Sequence, residues 1–210
     1  MGKNLEPKCK KCRRVGEKLF LKGERCSSTK CAMIKRNYPP GFHGQKGRTK
    51  PTDYGTQLNE KQKIKKQYVM MEKQFRLTFD KARKQVGNTG ENFIKLLEKR
   101  LDNVVYRLGF AASRSQARQM VSHGLFTVNG NKVDIPSYTV NAGDVVRIKT
   151  NKKNITPFRE IKEKLKKVEV PGWLNLDTKE EIAGKVLHEP LTDELMKKFN
   201  VHVVVEFYSR

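Results

Sequence analysis

The sequence predicts an α+β chain in three parts. These are a cysteine-stapled basic arm, a helical region, and a helix–turn–helix module ending in a small sheet. Three observations carry the prediction. All four cysteines fall within the first 31 residues. Apolar residues then recur at helical spacing as far as Leu108, and beyond Phe126 they alternate in short runs between turn signals.

Residues 1–45 have no sustained periodicity and are rich in Lys, Arg, Gly and Cys, so the arm needs a staple to fold. Pro39-Pro40-Gly41 marks a rigid turn out of it, and Gly41, Gly44 and Gly47 keep the next stretch loose. From Gln57 to Gln85 the pattern is helical. Its core candidates are Leu58, Ile64, Tyr68, Phe75, Leu77 and Phe79, with a break near Val69-Met70. A loop from Gly87 to Gly90 leads on, with Thr89 as a cap.

Phe93, Leu97, Leu101, Val104 and Leu108 form one helical stripe, and Gly109 suits its left-handed stop. Ser113-Arg114-Ser115-Gln116 fits a capping box. The helix it opens buries Ala117, Met120 and Val121, ends at Gly124, and shows Arg114 and Arg118 on the adjoining face. Phe126 and Val128 run into Asn129-Gly130, a hairpin signal, with the return at Lys132-Val133. A turn at Asn141–Asp144 starts the strand Val145–Ile148. Thr156-Pro157 reads as a cap for an amphipathic helix from Phe158 to about Lys167. Trp173–Leu176, Lys185–Leu187 and Val201–Phe207 read as short strands.

Charge names the class of partner. Lys and Arg number 45 against 22 acids, a net of +23, and such a surface calls for a polyanion. The excess is +12 over residues 1–50, +6 over 51–100, +3 over 101–150 and +2 over 151–210. The N-terminal half should therefore meet phosphates, and the C-terminal quarter resembles an ordinary protein surface. No signal peptide, lipidation motif or long apolar run appears, so no membrane is expected and a cytoplasmic location is. No dimer seam is visible and no obligate homo-oligomer is expected. The apolar share, 36%, allows two modest cores.

Cys9, Cys12, Cys26 and Cys31 are two close pairs separated by a loop, the spacing of a structural zinc site. One zinc held by four thiolates is the preferred reading; an iron–sulfur cluster uses the same ligands. The adjacent Lys8, Lys10, Lys11, Arg13 and Arg14 should lower the thiol pKa values. A closed four-thiolate site leaves no position for substrate, so the role is stabilising. His43, His123, His188 and His202 have no metalloenzyme spacing, and Gly41-x-x-Gly44-x-x-Gly47 is neither of the nucleotide-binding glycine motifs.

Phosphate contact is assigned to Arg13, Arg14, Arg36, Lys46, Arg48, Lys50, Lys61, Lys63, Lys65, Lys66, Arg76, Arg83 and Lys84. In the module it is assigned to Arg100, Arg107, Ser113, Arg114, Gln116, Arg118, His123 and Lys132. The α-helical lysines are favoured because only Glu60 accompanies them at helical spacing. Few aromatics interleave with these cations, which argues against a single-strand stacking platform. Recognition of folded RNA by shape and phosphate fits better.

Leu97-Glu98-Lys99-Arg100-Leu101, Val105-Tyr106-Arg107, Ala111-Ala112-Ser113 and Ala117-Arg118-Gln119-Met120-Val121 resemble the RNA-binding domain named after ribosomal protein S-four. Tyr38-Pro39-Pro40-Gly41 with His43-Gly44, Pro171-Gly172-Trp173-Leu174, and Val204 to Arg210 extend the likeness. Together they resemble the S-four family of bacterial small-subunit ribosomal proteins over essentially the whole chain. The resemblance implies an α+β fold with a zinc-stapled arm at 1–45, a helical domain at 46–95, and an inserted RNA-binding module at 96–168. Residues 169–210 are then expected to pack on the helical domain and complete it.

It also implies a structural, non-enzymatic role. The chain would clamp a helix junction in the 5′ domain of 16S rRNA, nucleate assembly of the subunit body, contribute to translational accuracy, neighbour the protein S-five, and in some bacteria bind its own mRNA. The main alternative is an RNA-modifying enzyme carrying the same module, since Arg100-Leu101-Asp102 resembles the catalytic triplet of pseudouridine synthases. About sixty residues after the module are too few for such a catalytic domain, and the triplet reads as helix surface. A zinc-dependent DNA-binding regulator is a further rival without base-reading features here.

Overall fold

The computed structural model describes residues 5–47, 50–149, 168–177 and 182–209, together with Phe158, Ile161 and Leu165. The candidate Arg48, the Thr156-Pro157 cap and the end residue Arg210 lie outside them. The chain divides into two compact units, one of residues 1–94 and 192–210, the other of residues 95–191. No helix among the described residues is long and apolar enough to cross a membrane.

In the first unit the arm carries short helices α1 (Lys8–Val15), α2 (Glu24–Ser27) and α3 (Ala32–Lys35), then a 3-10 turn at Phe42–Lys46. Its small core gathers Cys12, Leu19, Leu21, Cys31 and Met33. Helix α4 (Asp53–Gln67) opens on Thr52, whose hydroxyl accepts from the Gly55 N–H at 3.2 Å. It stops where expected, with Val69 at φ 55°, before α5 (Glu72–Arg83) begins. The cap of α6 (Thr89–Glu98) is Asn88 rather than Thr89, because the Asn88 carboxamide accepts from Gly90 at 2.8 Å.

The unit closes with α9 (Asp193–Lys198) and α10 (Val201–Ser209). Val201–Phe207 is thus helical, not a strand. Its β-branched run favours a strand locally, but packing overrides that propensity. Val201 and Val204 are buried one turn apart. The Tyr208 ring, one turn further on, stacks on Phe79 with centroids 4.6 Å apart, and Phe93 meets Phe75 edge-on at 5.1 Å.

In the second unit α7 (Leu101–Arg107) and α8 (Arg114–Ser122) pack on a five-stranded antiparallel sheet. The strands are β1 (Phe126–Val128), β2 (Asn131–Lys132), β3 (Val145–Ile148), β4 (Leu174–Asp177) and β5 (Ala183–Val186), in the order β2-β1-β3-β5-β4. The expected stripe from Phe93 to Leu108 is two helices. Arg100 adopts extended backbone (φ −67°, ψ 135°) and bridges to Thr139, while the Leu101 N–H donates to the Tyr138 carbonyl at 2.8 Å. A second segment therefore takes the hydrogen bonds that would have carried the helix through.

The sequence places residues 174–186 with the helical domain, yet β5 pairs with β3 and completes the module's sheet. The join needs Gly184, because a Cβ there would run into the buried Leu108 side chain. The hairpin between β1 and β2 turns through Asn129 (φ 50°) and Gly130 (φ 85°), the pair of left-handed residues a type I′ turn demands. Phe158, Ile161 and Leu165 are helical and buried in this core.

Candidate RNA interface and cysteine cluster

The arm brings its four cysteines to one small cavity of about 20 Å³, beside Leu21, Ala32 and Met33. All four are free; Cys12, Cys26 and Cys31 are buried and Cys9 is partly so. The Lys22 N–H donates to the Cys26 sulfur at 3.3 Å. Among the described residues no three His, Cys, Asp or Glu are placed so that they could hold a metal ion as they stand. The residue types nevertheless suit a soft structural ion: four cysteines line one small apolar-walled space, and the Cys26 sulfur accepts a backbone N–H. The expected lowering of thiol pKa does not hold for Cys12. Burial pushes that thiol up, the Leu19 backbone hydrogen bond opposes it, and the neighbouring cysteines add to the rise.

Arg13 turns inward. Its guanidinium donates to the carbonyls of Tyr38 (2.9 Å) and Pro39 (3.1 Å) and lies 4.7 Å from the Tyr38 ring centroid. It ties α1 to the Tyr38-Pro39-Pro40-Gly41 turn. Arg14 on the same helix is exposed.

Lys61 and Lys63 differ from the expected solvated face of α4: both are buried. Lys61 binds Glu72 at 2.6 Å and lies 4.8 Å from the Phe207 ring centroid. Lys63 binds Glu17 at 2.9 Å. Lys65 also reaches Glu72, at 2.6 Å. These partners come from α5 and the arm, where helical spacing cannot reveal them. Lys66 is half-buried, and burial, then the neighbouring Lys65 and Arg14, lower its ammonium pKa.

The module's arginines form a network instead of a free basic face. Asp102 accepts both forks of Arg100, at 3.1 and 2.8 Å, and one bond from Arg118 at 3.2 Å. Glu98, fully buried, accepts two bonds from Arg107 at 3.0 and 2.9 Å and one from Asn103 at 2.8 Å. Arg114 is buried as well: it donates to the Asn103 side-chain Oδ1 at 2.8 Å and lies 4.5 Å from the Tyr106 ring centroid.

The expectation that Arg114 and Arg118 stand together on an exposed face is therefore corrected. Arg114 is held inward by Asn103 and the Tyr106 ring, and Arg118 is held by Asp102. Ser113 caps α8 as expected, accepting from the Gln116 N–H at 3.3 Å, but the Gln116 amide reaches back to the N–H of Ala112, one residue beyond the box. Asp102 is a buried ion-pair acceptor rather than helix surface. Sequence reasoning missed Glu98, Asp102 and Asn103 as the groups that orient these arginines; Glu98 and Arg107, nine residues apart, fall outside any helical pairing rule.

Arg14, Arg36, Lys46, Lys50, Arg76, Arg83, Lys84, His123 and Lys132 are exposed. His123 follows α8 directly as its C-cap. Exposed cations on the arm and on α5 are the groups geometrically ready for phosphate.

Residues 3–98 match the family model described as "Ribosomal protein S4/S9 N-terminal domain", and residues 99–146 match "S4 domain". A "Small ribosomal subunit protein uS4" from Thermus thermophilus is 51% identical over all 210 residues of both chains. The proteins of the same name from Caldicellulosiruptor saccharolyticus and Halothermothrix orenii are 52% and 50% identical, again over the whole of both chains. The chain belongs to the uS4 family of small-subunit ribosomal proteins. That family is structural and not enzymatic. In its light the buried Arg100–Asp102 pair is framework, because Asp102 already accepts three bonds from two guanidiniums.

Proposed function

We propose that this chain is an rRNA-binding structural constituent of the small ribosomal subunit. The observation that carries the reading is full-length likeness, at about half identity, to proteins named for that subunit. The charge supports it: the first hundred residues hold most of the +23 excess, and their exposed cations suit a phosphate backbone. More finely, the partner is a helix junction in the 5′ domain of 16S rRNA, gripped early so that the subunit body assembles around it. Contacts dispersed over both units suit a junction recognised by shape.

A contribution to translational accuracy, a contact with the neighbouring protein S-five, and binding of its own mRNA are further roles of this reading. A cytoplasmic, ribosome-bound location goes with them. Cys9, Cys12, Cys26 and Cys31 would hold one zinc, which supplies rigidity to an arm whose core is otherwise five side chains. Crosslinking the protein to RNA in cells tests the main reading. One junction of the small-subunit rRNA should dominate the crosslinks. Crosslinks scattered over unrelated RNAs, or concentrated on tRNA, would sink it.

A further inference from the structure

A cavity of about 620 Å³ in the first unit is walled on one side by α1 and on the other by α4. Among the described residues five cations line it, Lys10, Lys11 and Arg14 from α1 and Lys65 and Lys66 from α4, and Glu6 is the one carboxylate on its wall. That acid sits 3.8 Å from Lys11, and Lys65 is held from outside the cavity by Glu72 at 2.6 Å. Among the described residues no carboxylate stands within ion-pair distance of Lys10, Arg14 or Lys66.

We propose that this cleft seats a sharply turned segment of rRNA backbone, with two neighbouring phosphates between the α1 and α4 cations. The inference rests on the reading that the chain binds rRNA, and adds where a crowded turn enters it. Like charges brought together in a half-enclosed space repel one another, and Lys11 and Lys66 are also partly withdrawn from water, so the arrangement is costly until an anion enters. The lowered pKa of Lys66 is a symptom of that cost. The cavity's volume is that of a ligand about one or two nucleotides in size, and a duplex cannot enter it. A turn at a junction can, because it projects its phosphates without a paired strand. Cations on two facing walls match two phosphates forced close together, where a flat basic surface would meet only one edge.

The test is equilibrium binding of the full chain to 5′-domain rRNA over a range of salt. The variants are Lys10→Gln, Lys66→Gln and their double. Lys185→Gln, on the exposed side of β5, is the control for charge loss alone. The double variant should bind roughly tenfold or more weakly at moderate salt, and its slope of log affinity against log salt should shrink by about 1.5, two phosphates' worth. Thermal unfolding of the free protein should be unchanged or shifted upward, since like-charge repulsion has been relieved. If the double variant fails to fold, the exposed Lys10→Gln alone should lower the slope by about 0.8.

Variants indistinguishable from Lys185→Gln would overturn the cleft and leave the rRNA reading standing. A wild-type chain with no affinity for the RNA would bring down both. Tripolyphosphate is the free-anion probe. If it binds and these variants abolish that binding while rRNA affinity stays intact, the cleft serves a free anion and the proposal is wrong.

Discussion

Glu72 shows at a single residue how tertiary structure decides the meaning of a charge run. Lys61 and Lys65 read as an open basic face, yet both end on this carboxylate at 2.6 Å, and the Tyr208 hydroxyl donates to it at 3.1 Å. Burial alone would raise the Glu72 pKa, but the hydrogen bonds from Lys61 and Lys65 outweigh it and hold the pKa below the ordinary 4.5. A carboxylate with a depressed folded-state pKa contributes stability above its unfolded pKa, and that contribution disappears as pH falls through the folded value. Glu72→Gln should therefore destabilise the protein at neutral pH, with the gap to wild type closing below about pH 4.5. Glu72 is 46% exposed, so solvent screening limits the ion-pair part to about 1 kcal/mol. Urea titrations at pH 7 and pH 3.5 read it; a gap of the same size at both would rule out the ion pairs as its source. Which cations face solvent was not legible in the sequence, because Glu17 and Glu72 reach Lys63 and Lys61 from other elements.

At the level of elements, local chemistry was legible wherever a few adjacent residues decide the outcome. Asn129-Gly130 makes its hairpin, Ser113 caps α8, and the chain breaks at Val69. The failures lie where distant segments compete for the same backbone or face. Thr139 takes the backbone of Arg100, splitting the stripe, and the floor of α4 and α5 turns Val201–Ser209 into a helix. The arm is the intermediate case. Its cysteine spacing was evident, but its three short helices were not, because helices of four to eight residues are held by surroundings and not by propensity.

Removal of one ligand tests the stapling. Cys9→Ser should lower bound zinc from about one per chain, measured by metal analysis, and make residues before Tyr54 protease-sensitive while later ones stay protected. An anaerobic iron–sulfur absorption band in the wild type would change the metal and keep the staple. Metal-free wild-type protein with a fully resistant arm would overturn it.

Over the whole molecule the charge gradient was the most informative property. It pointed to a polyanion before any site was built, and the described cations of the arm, α4 and α5 lie where the excess is greatest. The division of the chain was harder to read. Both the balanced charge after residue 150 and the strand-like segments from Trp173 onward suggested one C-terminal block, yet Leu174–Asp177 and Ala183–Val186 extend the module's sheet while α9 and α10 return to the first unit. Pairing partners so distant in sequence leave no local trace.

The central claim is that this family member reads folded small-subunit rRNA through dispersed phosphate contacts. The most direct measurement is its affinity for protein-free 5′-domain RNA, compared with an uninterrupted RNA duplex of equal length, across salt. Binding to the junction RNA should be saturable, one to one and tighter than to the duplex, with a loss of affinity of about 0.7 to 0.9 log units per log salt for every phosphate engaged. Equal affinity for both RNAs, or an affinity indifferent to salt, would contradict it.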